Sequence, residues 1–222
     1  MADDKPQIPR RSIGDAAHAV TKAGLSAIPV IGGPAAELFQ YVMQPPLEKR
    51  RQAWMAAIGE KLQELEAKGL NLEDLQNKEQ FVSAVMHASQ IALRTHQKEK
   101  LAALRNAIAN VAKGQAPEEA VQHLFLDFVD SFTEIHLRIV KAFQSPSLPA
   151  GLSMGTLARV LEHNIPELQG KRELYDQFWR DLYSRGLVNT DNLYLHMSGN
   201  GLMENRTTTL GDAFLKFISE SE

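Results

Sequence analysis

The stretch Pro117-Glu-Glu-Ala-Val-Gln-His-Leu-Phe-Leu-Asp-Phe-Val-Asp-Ser-Phe-Thr-Glu-Ile-His-Leu-Arg-Ile-Val-Lys-Ala-Phe143 decides the fold class. Val121, Phe125, Phe128, Phe132, Ile135, Ile139 and Phe143 recur at the period that lines one face of an α-helix. Proline is tolerated at the first helical position, where its missing N–H would be unpaired in any case. The spacing predicts one long helix from Pro117 to about Phe143. An aromatic face of that length has to be covered by other elements.

Upstream, Leu101, Leu104, Ile108 and Val111 make the narrow stripe of a helix ended by Gly114. Asn77 with Gln80 reads as the cap of a helix to about Thr95. Its Phe81, Val82, Val85, Met86, Ala88, Ile91, Ala92 and Leu93 cover more than one face, which predicts a central position. Trp54, Ile58, Leu62 and Leu65 mark an amphipathic helix from about Leu47 to Lys68, with Gly69 past its end. Four such helices joined by short polar turns predict an antiparallel helical bundle, and the class is mainly α.

Ahead of the bundle, the uncharged run Ala23–Ala36 is interrupted by glycine and proline. It is too short to span a bilayer, which takes roughly 20 apolar residues. Ser12 and Asp15 can cap a helix to about Leu25, and Pro34 can open a second to Met43, with Pro45 and Pro46 stopping it. Residues 12–43 thus read as an apolar helical hairpin within a bundle of residues 12–144, after a flexible tail of residues 1–11. Leu25, Ile28, Val30, Ile31, Leu38 and Phe39 are its candidate contact residues. They would cover the Phe-rich face of residues 121–143 or, on release, meet a membrane surface, a protein partner or a second copy. Arg10, Arg11 and Lys22 suit an anionic surface, whereas Glu37 resists bilayer depth.

Ser145-Pro-Ser-Leu-Pro-Ala-Gly151 reads as a linker, and residues 152–222 as a second domain. Helices from Ser153 to about Asn164 and from Lys171 to Arg185 precede a strand-like Asn192–Met197. Ser198-Gly-Asn-Gly201 has turn chemistry, and Leu202–Arg206 can return as a partner strand. Thr209 and Asp212 cap a last helix. This order predicts a small winged-helix-like module, whose Lys171, Arg172, Arg180, Arg185 and Arg206 are the candidate nucleic-acid contacts. From Gly151 on, however, seven Lys and Arg face ten Asp and Glu. Phosphate contacts dominate duplex affinity, so protein contact is the first expectation for this module and DNA binding the alternative.

Lys and Arg number 24 against 27 Asp and Glu, a net charge of −3 that provides no general attraction for polyanions. The absence of Cys excludes disulfides and thiolate chemistry. The polar, partly acidic first residues lack the basic-then-apolar order of a secretory signal, so a cytoplasmic protein is expected, with peripheral association at the inner membrane as an option. His123, Asp127, Asp130 and Glu134 fall on one stripe of the long helix and are the best acid/base or metal candidate. A carboxylate-bridged dimetal bundle needs Glu-x-x-His pairs from two helices, which no helix here supplies. Glu134 is expected to pair with Arg138 one turn on, and the stripe to be a solvated face. Gly24-Leu-Ser-Ala-Ile28 lacks the second glycine of a nucleophile elbow. Gly199-Asn-Gly201 lacks the following Lys-Ser/Thr of a phosphate loop. No catalytic, cofactor or metal residue and no small-molecule substrate is expected, and an enzyme with an unrecognised site ranks third.

Several segments together carry a resemblance: Pro46-Leu-Glu-Lys-Arg-Arg51, Leu104-Arg-Asn-Ala-Ile-Ala-Asn110, the Phe-rich helix, Leu182-x-x-x-Gly-Leu-Val188 and Thr209-Leu-Gly-Asp-Ala-Phe-Leu215. In this order, after a Gly/Pro-broken apolar start, they resemble the bacterial proteins called putative abortive-infection alpha. The resemblance implies a role in phage defence or a related stress response, and it assigns no active-site residue.

Overall fold

The computed structural model describes residues 34–220. The expected tail, the first hairpin helix and the contact residues Leu25, Ile28, Val30 and Ile31 lie outside the described residues. Helix α1 runs from Pro34 to Ala67 without the expected stop at Pro45 and Pro46. Two adjacent prolines remove only two amide donors, and the helix-forming segments on either side continue in one register. Residues from Arg51 on form one compact unit.

In that unit the second half of α1 buries Trp54, Ile58 and Leu65, as the spacing predicts, and the Trp54 indole N–H donates to Ser89 Oγ at 2.9 Å. Gly69, at a positive φ of 98°, lets the chain turn away. Its N–H and that of Leu70 close on the carbonyls of Glu66 and Leu65. A 3-10 turn at Glu73–Leu75 leads to α2 (Glu79–Arg94) and then α3 (Lys98–Ala112).

The central helix is α3, not α2. Helix α2 buries only Ala84, Ala88, Ile91 and Ala92, and its Met86 is 60% exposed. Helix α3 packs against α2 and against three later helices, defined below. Its alanines at 103, 107, 109 and 112 are buried and take so little room that neighbours approach from several sides.

The Phe-rich stretch is two helices, α4 (Glu119–Ser131) and α5 (Glu134–Gln144). Thr133 adopts an extended backbone as the cap of α5, and its N–H donates to His136 Nδ1 at 3.0 Å. On the other side of the break the buried Lys100 ammonium donates to the carbonyls of Asp130 and Phe132, both at 2.8 Å. The apolar period runs on across the break, which is why the spacing alone reads as one helix.

Beyond it come β1 (Met154–Gly155), α6 (Leu157–Asn164), a 3-10 turn at Pro166–Leu168 and α7 (Arg172–Ser184). β2 (Met197–Ser198), the short α8 (Gly199–Leu202) and α9 (Thr209–Ile218) complete the described chain. The expected hairpin of residues 192–206 does not form. β2 pairs antiparallel with β1, Met154 opposite Ser198 and Gly155 opposite Met197, and one bridge joins Val188 to Thr207. The Gly-Asn-Gly segment winds into α8 because Ser198 Oγ accepts the Gly201 N–H.

The expected linker of residues 145–151 falls inside this unit, and the core continues across it. Phe125 and Phe128 pack on Phe214 with ring centroids 5.4 and 5.8 Å apart, and Phe143 packs on Trp179 at 4.7 Å. The Phe-rich face is thus covered by α9 and α7, where the N-terminal hairpin was expected. The fold is mainly helical, with a single two-stranded sheet among the described residues.

Candidate functional site

Helix α7 and its two cap positions carry Lys171, Arg172, Arg180 and Arg185, and Arg206 lies between α8 and α9; most of these cations are engaged within the chain. Arg172 lies over the Tyr194 ring, 4.2 Å from its centroid, and its Nε donates to the Tyr194 hydroxyl at 3.0 Å. That hydroxyl in turn donates to Asp176. Burial and the Asp176 carboxylate push the Tyr194 phenol up, and the hydrogen bond from Arg172 to Tyr194 raises the guanidinium further. Arg185, at the other end of α7, sits 5.3 Å from the ring centroids of Phe128 and Phe132.

Arg206 is turned inward, with only 13% of its side chain exposed beside Glu204 at 3.2 Å. It donates to the Gly201 carbonyl and Met197 sulfur. Arg180 is exposed and donates to Gln177 one turn earlier at 3.0 Å, and Lys171 is exposed at the start of the helix. Arg180 lines a cleft of about 500 Å³ with Asp176, Trp179, Tyr183, Asp191 and Tyr194. Its walls combine aromatic surface with two carboxylates. Of the candidate contact residues at the N-terminal side, Leu38 is 63% exposed on α1, and Phe39 lies on the same helix.

The acid/base stripe is divided by the α4–α5 break. Asp127 Oδ1 lies 3.2 Å from His87 Nε2, and Asp130 pairs with Arg94 at 2.8 Å. Glu134 belongs to the next helix and faces Glu99, whose hydrogen bond raises its carboxyl. Arg138 pairs with Glu167 and not, as expected, with Glu134. Among the described residues, no group of three or more His, Cys, Asp or Glu side chains is arranged to hold a metal ion.

His136 is buried at the break between α4 and α5. It is 5% exposed, stacked on Phe132 at 4.8 Å and met edge-on by Phe178 at 4.7 Å. With Nδ1 accepting from the Thr133 backbone, Nε2–H is left to point at Asp181, 3.4 Å away. Burial pushes the imidazole down, more than Asp181 pulls it up.

Asn110 is 2% exposed, and its amide donates to the carbonyls of Lys216, Phe217 and Ser219 at 2.8 to 3.2 Å, closing the end of α9. Asn106 reaches the Ile218 carbonyl one turn away at 3.1 Å. Asn106 and Asn110 lie four apart, on one face of α3, which is the trace they leave in the sequence.

The C-terminal motif also has a packing explanation. Thr208 caps α9 by accepting the Gly211 N–H, and Gly211 lies so close to Leu187 that a Cβ would stand 2.2 Å from its carbonyl oxygen. The chain matches no protein-family model, no curated protein and no solved structure.

Proposed function

We propose that the protein is a non-catalytic interaction module that works through a protein partner, in the bacterial stress or phage-defence setting that its sequence resemblance implies. The observation that carries this reading is the treatment of the α7 cations. Arg206 is turned inward onto backbone and sulfur, and the helical period aims Arg185 away from Arg172 and Arg180, so the guanidinium groups do not converge on one face although those three are exposed. Exposed apolar side chains stand in the same part of the chain: Leu174, Tyr183, Leu195 and Met203 are 44 to 51% exposed, and Met154 is 64% exposed. Scattered apolar exposure is ordinary, but Tyr183 shares a cleft with Trp179, Arg180 and Tyr194, and aromatic and arginine side chains together suit a partner surface.

A second reading, a winged-helix DNA-binding regulator, is favoured by element order: α5, β1, α6 and α7, then a β segment that returns to pair with β1. An electrophoretic shift with duplex DNA at low salt separates the two, since nonspecific binding is strongest there. No retardation is expected. Retardation abolished by Arg180→Glu overturns the interaction reading. Conversely, a photo-crosslinker at Arg180, which shares the cleft with Tyr183, should capture one defined partner, and Tyr183→Asp should abolish that crosslink.

The membrane form of the proposal rests on the N-terminal residues, and no described helix is long and apolar enough to cross a membrane. Liposome flotation with Ile31→Asp as control tests it, and absence of binding at neutral and low pH removes it.

A further inference from the structure

We propose that His87 and His123 form a two-nitrogen chelate for a divalent late-transition-metal ion, with Asp127 as its outer partner. His87 projects from α2 and His123 from α4, and their Nδ1 atoms are 3.2 Å apart. Two imidazole nitrogens bound to one tetrahedral ion at about 2.0–2.1 Å stand about 3.3 Å from each other. The side chains are 23% and 47% exposed, so an ion and its remaining waters can reach them from solvent.

The hydrogen-bonding chemistry points the same way. Asp127 Oδ1, 3.2 Å from His87 Nε2, places the ring proton on that nitrogen and leaves a lone pair on Nδ1. Glu119, one turn before His123, stands 3.9 Å from its Nε2, beyond hydrogen-bond reach, and adds negative charge beside the pair without fixing that ring's tautomer. The His87 Nδ1 lone pair then faces His123 Nδ1 across 3.2 Å, where an N–H of that ring can donate to it. With the His123 proton on Nε2 instead, both Nδ1 lone pairs are free for one metal ion. A carboxylate on the distal nitrogen is also what orients metal-bound histidines and raises their basicity.

The donor set selects the ion. Neutral imidazoles without thiolate or converging carboxylates suit Cu²⁺, Ni²⁺ or Zn²⁺, and they offer little to Mg²⁺ or Ca²⁺. Binding moves the His123 ring proton from Nδ1 to Nε2 and leaves the rest of the coordination sphere to water.

The test is titration of the chelator-treated full chain with Zn²⁺ and Ni²⁺ by calorimetry, with Cu²⁺ followed by electron paramagnetic resonance. Saturable binding with two equivalent nitrogen ligands is expected. His87→Ala and His123→Ala should each abolish it, and the double variant should do no more, because a chelate fails when either arm is lost. Asp127→Asn should weaken it about tenfold. His123→Gln keeps a polar side chain but has no ring nitrogen, so a native melting curve together with lost metal binding separates ligation from folding. No saturable binding, or affinity unchanged in the double variant, overturns the proposal and leaves a hydrogen bond from the His123 ring N–H as the link between the rings. Single variants that each remove half of the bound metal also overturn it, since they indicate two independent histidines.

Discussion

Helix α3 closes two helix ends with its own side chains, by opposite means. At the end of α4 the group is the Lys100 ammonium on the carbonyls of Asp130 and Phe132. At the end of α9 it is the Asn110 amide on three carbonyls. A cation suits the negative end of a helix, but burial opposes its charge and lowers the Lys100 ammonium. The amide is uncharged, so its burial is offset by hydrogen bonds alone. One junction therefore carries titrating groups, Lys100 with His136 close by, whereas the Asn110 cap is indifferent to pH.

Gly211→Ala should have the largest effect, because it removes the second member of this pair altogether. A Cβ there meets the Leu187 carbonyl, so either α9 shifts or the Leu187 backbone does. The expected loss is about 3 kcal/mol in chemical denaturation, at the upper end for overpacking; a loss under about 1 kcal/mol would mean that α9 docks loosely. Asn110→Ala should come next, at about 2 kcal/mol, since the buried Phe217 carbonyl and two partly buried ones lose their donor.

Lys100→Met should cost less, about 1 kcal/mol, because the lost hydrogen bonds are partly offset by removal of a buried charge. Equal costs at the two ends would abolish the distinction between charged and neutral caps.

The smallest effect is in pH dependence. Folding depresses the His136 imidazole below its ordinary 6.5, so the folded state binds fewer protons than the unfolded one as pH falls through that value. Stability should decline from about pH 7 toward pH 5 as protonation draws the chain to the unfolded state. Asp181 favours the imidazolium, while Arg185 and Lys100 oppose it. His136→Gln should flatten the acid side of a melting-temperature profile, and an unchanged slope would assign the titration to another group.

These two junctions also mark what a sequence can and cannot reveal. The amphipathic half of α1 and the stop of α3 at Gly114 followed from local spacing, because each depends on neighbours within a few turns. The α4–α5 break was hidden because Phe128, Phe132, Ile135 and Ile139 keep helical period across it. Its cap signal, Thr133 before Glu134, reads as an ordinary helix interior unless Lys100 is known to stand beside the preceding carbonyls. Asn110 was visible only as part of a motif, since its acceptors are about a hundred residues away in the chain.

The hairpin expected at residues 192–206 does not form, because the conformational freedom of Gly-Asn-Gly serves a helical turn as readily as a β-turn. In the candidate site, the α7 cations were legible as residue types. Their engagement with Tyr194, Phe128 and Phe132 was not, because cation–aromatic contacts leave no periodic trace.

The seam between α3 and α9 also sets an order in time. During synthesis α3 emerges well before Thr208 and the helix it caps, so Asn106 and Asn110 must wait, hydrated, for the carbonyls of residues 216–219. Contacts this distant in the chain form late and slow the approach to the native state. A nascent chain stalled before Leu210 would hold Phe125 and Phe128 without their aromatic partner Phe214. It would then offer chaperones, or other nascent chains, an aromatic face that the folded chain buries.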